Sequence, residues 1–229
     1  IKVVTQSKLR ATAIFLANQK IEQIRSLSYG NIGTVGGIPP GIIPETETKS
    51  YNNADFTVKT TIIYIDDPSD GLAPDDTVPT DYKRAEVKVS WEGGSKGEVV
   101  FVTDISPRNI ETDQEGGILV INVVDADGVG VSQAEVHIVN DQVDPVIDAT
   151  YLTDSDGKLT LTGVPPSIES YQISVTKTGY SLDRTYGRDE VANPLKPHAS
   201  VFEDEITEIS FSIDRLGTMD VQTTGTQGN

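Results

Sequence analysis

The sequence contains no cysteine and only two histidines, His137 and His198, among 229 residues. A disulfide scaffold, a thiolate metal site and a cysteine nucleophile all need a thiol, so each is excluded. Two isolated imidazoles without cysteine do not make a zinc site. His137 stands between two apolar residues of an alternating stretch, so we expect its side chain on the polar face of a strand.

Basic residues are also scarce: 18 Lys and Arg stand against 35 Asp and Glu, for a formal charge of −17. A surface this acidic repels phosphate, so no nucleic-acid partner is expected. No apolar run reaches the roughly 18 residues that a transmembrane helix needs. The charge is uneven, because residues 1–28 hold five basic residues and one acidic residue. This basic segment is either a solvated helix face or a surface that lies beside anionic lipid.

Motifs of catalysis are nearly absent. Residues 93–97 read GGSKG, which matches the G-x-S-x-G string of serine hydrolases. That motif requires a strand-to-helix elbow, whereas here the string separates two strand patterns and is typical of a hairpin turn. No phosphate-binding loop or zinc-protease string occurs. We therefore expect that the chain is not an enzyme.

The first half of the chain predicts a helix followed by a small sheet. Residues 5–28 carry apolar side chains at steps of three to five without Gly or Pro, as in an amphipathic helix. A Gly- and Pro-rich loop, residues 30–44, comes next. Residues 55–66, 82–92 and 97–105 alternate between apolar and polar and predict three antiparallel strands. Trp91 shares a strand face with two valines, so we expect it in the core rather than in a sugar-binding platform.

This order of features resembles type IV pilin-like proteins of the minor-pilin or pseudopilin kind. The residues that carry the resemblance are LRATAIFLANQKIEQIRSL and SYGNIGTVGGIPPG, then YIDDPSDG and DYKRAEVKVSW. The resemblance implies a cleaved apolar segment ahead of the helix, membrane anchoring before assembly, and packing against other pilin-like subunits through the helix. The apolar half-helix and the acidic residue near its start that such proteins use are not found here. Because the sequence begins at Ile1, inside a helix pattern, we expect a processed or truncated product.

The second half predicts an antiparallel β-sandwich. Short strands are expected at residues 118–124, 134–140, 147–153, 158–162, 171–176 and 205–214, with turn residues between them. The stretches ILVINVVDADGVGVSQAEVHI, TDSDGKLTLTGVPP and YQISVTKTGY resemble carboxypeptidase-regulatory-like, transthyretin-like modules. Such modules are mostly accessories, so the resemblance implies a fold and no activity.

The predicted fold class is thus an α+β N-terminal module, a long helix plus a three-stranded antiparallel sheet, followed by an all-β sandwich module. We place the first module at residues 1–111, a linker at 112–117, the sandwich at 118–214 and a tail or further linker at 215–229.

Clustered carboxylates in residues 66–81 form the candidate metal site. Calcium takes six to eight oxygen ligands, and a flexible acidic loop offers them. The spacing is not that of an EF-hand, and a solvated acidic turn is the alternative. The candidate ligands are Asp66, Asp67, Asp70, Asp75 and Asp76. A second acidic string, DSDG at residues 154–157, lacks a distal glutamate and reads as a tight turn.

The functional expectation is a non-catalytic, pilin-like structural subunit of a type IV pilus or related surface filament, displaying a β-sandwich at the cell surface. The alternative is a secreted or surface adhesin or ligand-binding module, and one form of this hypothesis has calcium stabilising the module. No cofactor other than calcium is expected. Long loops on a rigid scaffold often carry binding, so the loops at residues 32–44 and 179–197 are where an unidentified surface ligand would bind.

Overall fold

The computed structural model describes residues 2–51, 54–66, 80–92, 96–107 and 116–217, with side chains from residue 6 onward. Its one helix in these ranges, α1, spans Lys2–Arg25. The buried stripe of α1 faces a sheet and recurs at helical spacing: Ala13, Leu16, Ala17, Ile21 and Ile24. The helix ends earlier than the sequence predicts, and a short 3₁₀ turn, Tyr29–Asn31, follows it.

An antiparallel sheet covers this stripe. Its strands are β1 (Thr46–Tyr51), β2 (Ala54–Ile65), β3 (Tyr82–Trp91) and β4 (Gly97–Ile105), in the order β1-β2-β3-β4. Burial alternates strictly along β3, so one face packs on α1 and the other faces away from the helix. The core between α1 and the sheet, called here the helix–sheet core, includes Phe56, Ile62, Val87 and Trp91.

The expected three-stranded sheet is therefore wrong, because β1 adds a fourth strand. β1 reads TETKSY and all but one of its residues are exposed, so it lacks the apolar alternation by which the other strands are recognised. Its side facing α1 is polar: Glu47 forms ion pairs with Lys20, which is buried, and with Lys49. A hydrophobicity pattern does not find a strand that is held by charge and by backbone pairing.

The second half of the chain forms two further sheets around another core. One sheet has the order β10-β9-β6-β7, with β11 also paired to β9, and the other has the order β12-β5-β8. β12 runs parallel to β5, which departs from the expected all-antiparallel sandwich. The bounds are β5 (Gly117–Val124), β6 (Glu135–Asn140), β7 (Ile147–Leu152), β8 (Lys158–Val164), β9 (Ser167–Thr176), β10 (Asp183–Arg184), β11 (Ala199–Val201) and β12 (Ile206–Ser212).

The expectation of a separate N-terminal module is wrong as well. Residues 33–43, called here the strap, leave the helix–sheet core at Ile32 and return to it at Ile43. Between these points Ile38 is 1% exposed and belongs to the sandwich core. The Ile38 N–H donates to Tyr151 Oη at 2.7 Å, and the Asp148 N–H donates to Gly36 O at 2.9 Å. The described chain is thus mostly β, with one helix and several sheets, and the strap joins its two cores.

Within the described residues, no helix is both long enough and apolar enough to cross a membrane.

Candidate functional site

A cleft of about 810 Å³ lies between two sheets that belong to different cores. One wall is the face of β2, β3 and β4 that points away from α1, and the other is the outer face of β12, β5 and β8. Both walls mix aliphatic side chains with threonine hydroxyls. The residues that line the cleft include Thr61, Ile63, Arg84 and Val100 on the first wall, and Ile118, Val120, Thr160, Thr162 and Ile206 on the second.

Two ion pairs compensate part of the charge in this cleft. The Arg84 guanidinium donates twice to the Asp104 carboxylate, at 2.7 and 2.9 Å, and this pairing lowers the pKa of Asp104. Lys88 pairs with Glu98 at 3.0 Å. The Thr162 hydroxyl has no hydrogen-bond partner in the part of the chain that the structure describes, although the residue is only 3% exposed. A buried hydroxyl without a partner is costly, and a polar ligand or a water in the cleft would satisfy it.

A buried lysine lies on the face of β3 that packs on α1, beside the cleft residue Tyr64. Lys83 is 2% exposed, and its Nζ donates to the carbonyls of Tyr29 at 3.0 Å and Ile32 at 2.7 Å. The Tyr29 and Tyr64 rings lie 4.5 and 5.1 Å from the same nitrogen. Burial lowers the pKa of Lys83 to about 8, and burial raises the pKa of Tyr64 to about 12. The lysine therefore ties the segment after α1 to the sheet.

The candidate calcium ligands are only partly visible. Asp66 is half-buried and lines the cleft, whereas Asp67, Asp70, Asp75 and Asp76 lie outside the described residues. Elsewhere in the described ranges, no group of three or more His, Asp or Glu side chains is arranged to hold a metal ion. The calcium site thus remains a prediction from sequence.

The DSDG string is a turn, as predicted. Asp154 Oδ1 accepts the N–H groups of Asp156 at 2.9 Å and Lys158 at 2.8 Å, and Gly157 has a φ of +77°. This is the conformation that glycine adopts without strain.

The other residues considered from sequence have structural partners. Trp91 is 4% exposed in the helix–sheet core, as predicted. His137 lies on the polar face of β6, where its Nε2 is 2.7 Å from Asp148 Oδ1. His198 Nδ1 lies 3.0 Å from Thr185 Oγ1. The two imidazoles therefore have separate polar partners.

The two long loops differ in character. The 32–44 loop contains the strap, so much of it is buried and it joins the cores. In the 179–197 loop, Arg184 lies 4.2 Å from the Tyr186 ring and pairs with Glu190. Arg188 donates twice to Glu169, both at 2.6 Å. The arginines of that loop are thus already engaged within the protein.

No family model and no curated protein matches the chain. Solved structures that share local geometry include the 3-chlorocatechol 1,2-dioxygenase of Rhodococcus opacus 1CP, at 18% identity and a TM-score of 0.31, covering 45% of this chain and 62% of that one. The TIE protein of Bacillus anthracis shows 14% identity and a TM-score of 0.34, covering 75% and 39%. BcpA, the major pilin subunit of Bacillus cereus, shows 15% identity and a TM-score of 0.29, covering 59% and 39%.

The chain spans about three fifths of the dioxygenase and about two fifths of the two Bacillus proteins. All three TM-scores are below 0.5, and no property of those proteins is transferred to this chain. Neither resemblance drawn from the sequence is supported by a matching family model.

Proposed function

We propose that the chain is a non-catalytic, pilin-like structural subunit of a type IV pilus or related surface filament, with α1 as its assembly element and the sandwich displayed outward. The subunit would be extracellular, and a segment ahead of Ile1 would anchor it in a membrane before assembly. A subunit of this kind works by burying surface against neighbouring copies.

The observation that carries the proposal is the exposed side of α1. The helix starts about two turns before Leu9, the first of its described side chains that packs on the core. On the solvent side, Ile14 is 36% exposed and Phe15 is 55% exposed. The centroid of the Phe15 ring lies 6.3 Å from that of Tyr51, at the end of the edge strand β1. Large apolar side chains exposed on a projecting helix favour a protein contact.

Sedimentation velocity over a range of protein concentrations tests the proposal. We expect concentration-dependent oligomers, which Phe15→Ala reduces because it removes the largest exposed ring from α1. Val129→Ala is the matched control, since Val129 is 61% exposed in the sandwich. A chain that stays monomeric at its highest soluble concentration would contradict the proposal. So would equal effects of the two substitutions.

The cleft favours a second candidate function, a surface adhesin that binds a polar ligand between the sheets. Its support is the buried hydroxyl of Thr162, which lies on a wall of threonine and aliphatic side chains and has no hydrogen-bond partner among the described residues. The test is a panel of short peptides and oligosaccharides, with backbone amide chemical shifts as the readout. Binding confined to cleft residues, and weakened in Thr162→Val, would support this function, whereas shifts scattered over the surface would count against it.

A further inference from the structure

Two surfaces of opposite charge lack a charged partner within the described chain. Almost every basic side chain from residue 6 onward contacts a carboxylate, a carbonyl or a hydroxyl. The exceptions among the described side chains are Lys8, Arg10 and Lys158. Lys158 lies in the cleft, whereas Lys8 and Arg10 are exposed near the start of α1. We call Lys8, Arg10, Ile14 and Phe15 the basic helix surface.

The basic helix surface combines charge with apolar contact area. Arg10 lies one helical turn before Ile14, and Lys8 lies two turns before Phe15. No acidic residue occurs in the chain before Glu22, so nothing on this part of the helix compensates the charge.

A complementary surface lies between β11 and β12. Residues 202–205 form a turn in which Asp204 has a φ of +55°, and it presents Glu203, Asp204 and Glu205 to solvent. None of the three forms an ion pair with another described side chain. Phe202 and Ile206 flank them, each 45% exposed. We call residues 202–206 the acidic turn. Adjacent carboxylates repel one another, so a cationic partner would reduce the electrostatic repulsion within the turn.

The two surfaces lie too far apart to meet within one molecule. The acidic turn lies near the end of the β1–β4 sheet at which α1 finishes, and a series of contacts shows this. The first is a hydrogen bond in which the Asp204 N–H donates to Gly116 O at 3.2 Å. Gly116 lies against Gly163, since a Cβ added to Gly116 would be 3.0 Å from Gly163 Cα. Gly163 in turn lies against the Tyr64 ring, which a Cβ added to Gly163 would approach to 3.2 Å. The Tyr64 ring is beside Lys83, which binds the segment that follows α1.

Arg25 marks that same end of α1, since it donates to Thr103 on β4 at 2.7 Å. Lys8 precedes Arg25 by 17 residues, or about 25 Å of helix. That separation exceeds the roughly 8 Å screening length at physiological salt.

We propose that the basic helix surface of one copy docks on the acidic turn of the next copy. The partner is a second copy because each chain carries both complementary surfaces at opposite ends of α1. Two different surfaces that meet in this way form a heterologous contact, which joins copies head to tail into a ring or, where the rotation does not close, into an open array. This inference rests on the proposed function and specifies which surfaces would form the assembly contact.

The test is charge reversal on the full chain, read by sedimentation velocity at about 50 mM and about 500 mM salt, where screening differs strongly. One variant carries Lys8→Glu and Arg10→Glu, and another carries Glu203→Lys and Glu205→Lys. Each alone places like charges at the contact, so we expect the concentration for half-association to rise on the order of tenfold or more. Lys158→Glu is the control, since it reverses the remaining unpartnered cation and should leave association unchanged.

Complementation makes the test specific. In an equimolar mixture of the two reversed variants, opposite charges meet at every contact between unlike copies, and a chain with all four reversals restores them with itself. Both should associate as the wild type does, and the fourfold variant also shows that the substitutions permit folding. Association that is insensitive to either reversal but sensitive to Phe15→Ala would overturn this contact and leave the assembly function standing. A wild type that never associates would overturn both.

Discussion

Truncating one strap side chain should destabilise both cores. Ile38 is 1% exposed in the sandwich core, although Ile32 before it and Ile43 after it belong to the helix–sheet core. Ile38→Ala leaves a cavity there, and such truncations cost about 2–5 kcal/mol. A change at an ordinary surface loop stays within about 0.5 kcal/mol. For a chain of this size the expected loss in melting temperature is roughly 4–20 °C.

Trp91 makes the measurement selective, because it is the single tryptophan and lies in the helix–sheet core. Urea unfolding followed by Trp91 fluorescence therefore reports the core that does not contain Ile38, while far-ultraviolet circular dichroism reports the whole chain. If the strap couples the cores, Ile38→Ala lowers the midpoint seen by both probes. Val35→Ala is the control, since Val35 lies in the same strap and is 61% exposed.

An unchanged Trp91 midpoint, together with a lower midpoint by circular dichroism, would refute this reasoning and show that the two cores unfold independently. If Ile38→Ala does not accumulate as folded protein, Ile38→Val gives a milder test, with an expected loss of about 0.5–1.5 kcal/mol.

Three further predictions concern other parts of the molecule. Burial lowers the pKa of Lys83 to about 8 from 10.5, so between these pH values unfolding takes up a proton and the free energy of unfolding rises with pH. The urea midpoint of the wild type should therefore rise from pH 7.5 to 9.5 relative to that of Lys83→Met. Parallel pH dependences of the two proteins would contradict this. Gly163→Ala should lower the melting temperature more than Gly179→Ala does. Both glycines have a positive φ, but only the new Cβ at residue 163 meets the Tyr64 ring, at 3.2 Å. Equal losses in melting temperature would contradict the contact. Millimolar Ca²⁺ should raise the melting temperature by several degrees through residues 66–81, and identical curves in Ca²⁺ and EDTA would dismiss the site.

The amphipathic elements could be predicted from sequence because their burial is periodic. The strands at β2, β3 and β4 are confirmed within a residue or so, since their apolar residues alternate against a single helix. The same reasoning placed Trp91 in the core. A local pattern is sufficient where one face of an element is buried and the other is solvated.

Features that depend on contacts distant in sequence could not be predicted in this way. The composition of residues 30–44 indicates a loop, but nothing local shows that Ile38 enters a core formed by residues more than 80 positions later. β1 is held by backbone pairing and by the ion pair of Glu47 with Lys20, which leave no hydrophobic period. The cleft has walls from both cores, so its residues share no motif.

The strap also bears on the proposed assembly. A head-to-tail contact uses the basic helix surface, which is carried by the helix–sheet core, and the acidic turn, which is carried by the sandwich. If the two cores rotated freely, each contact formed along an array would also have to restrict that rotation, at a cost in conformational entropy. Ile38 and its hydrogen bond to Tyr151 connect the two cores before association, and a connection of this kind lowers that cost. A strap that joins the two cores therefore suits a subunit whose two ends must hold a fixed geometry.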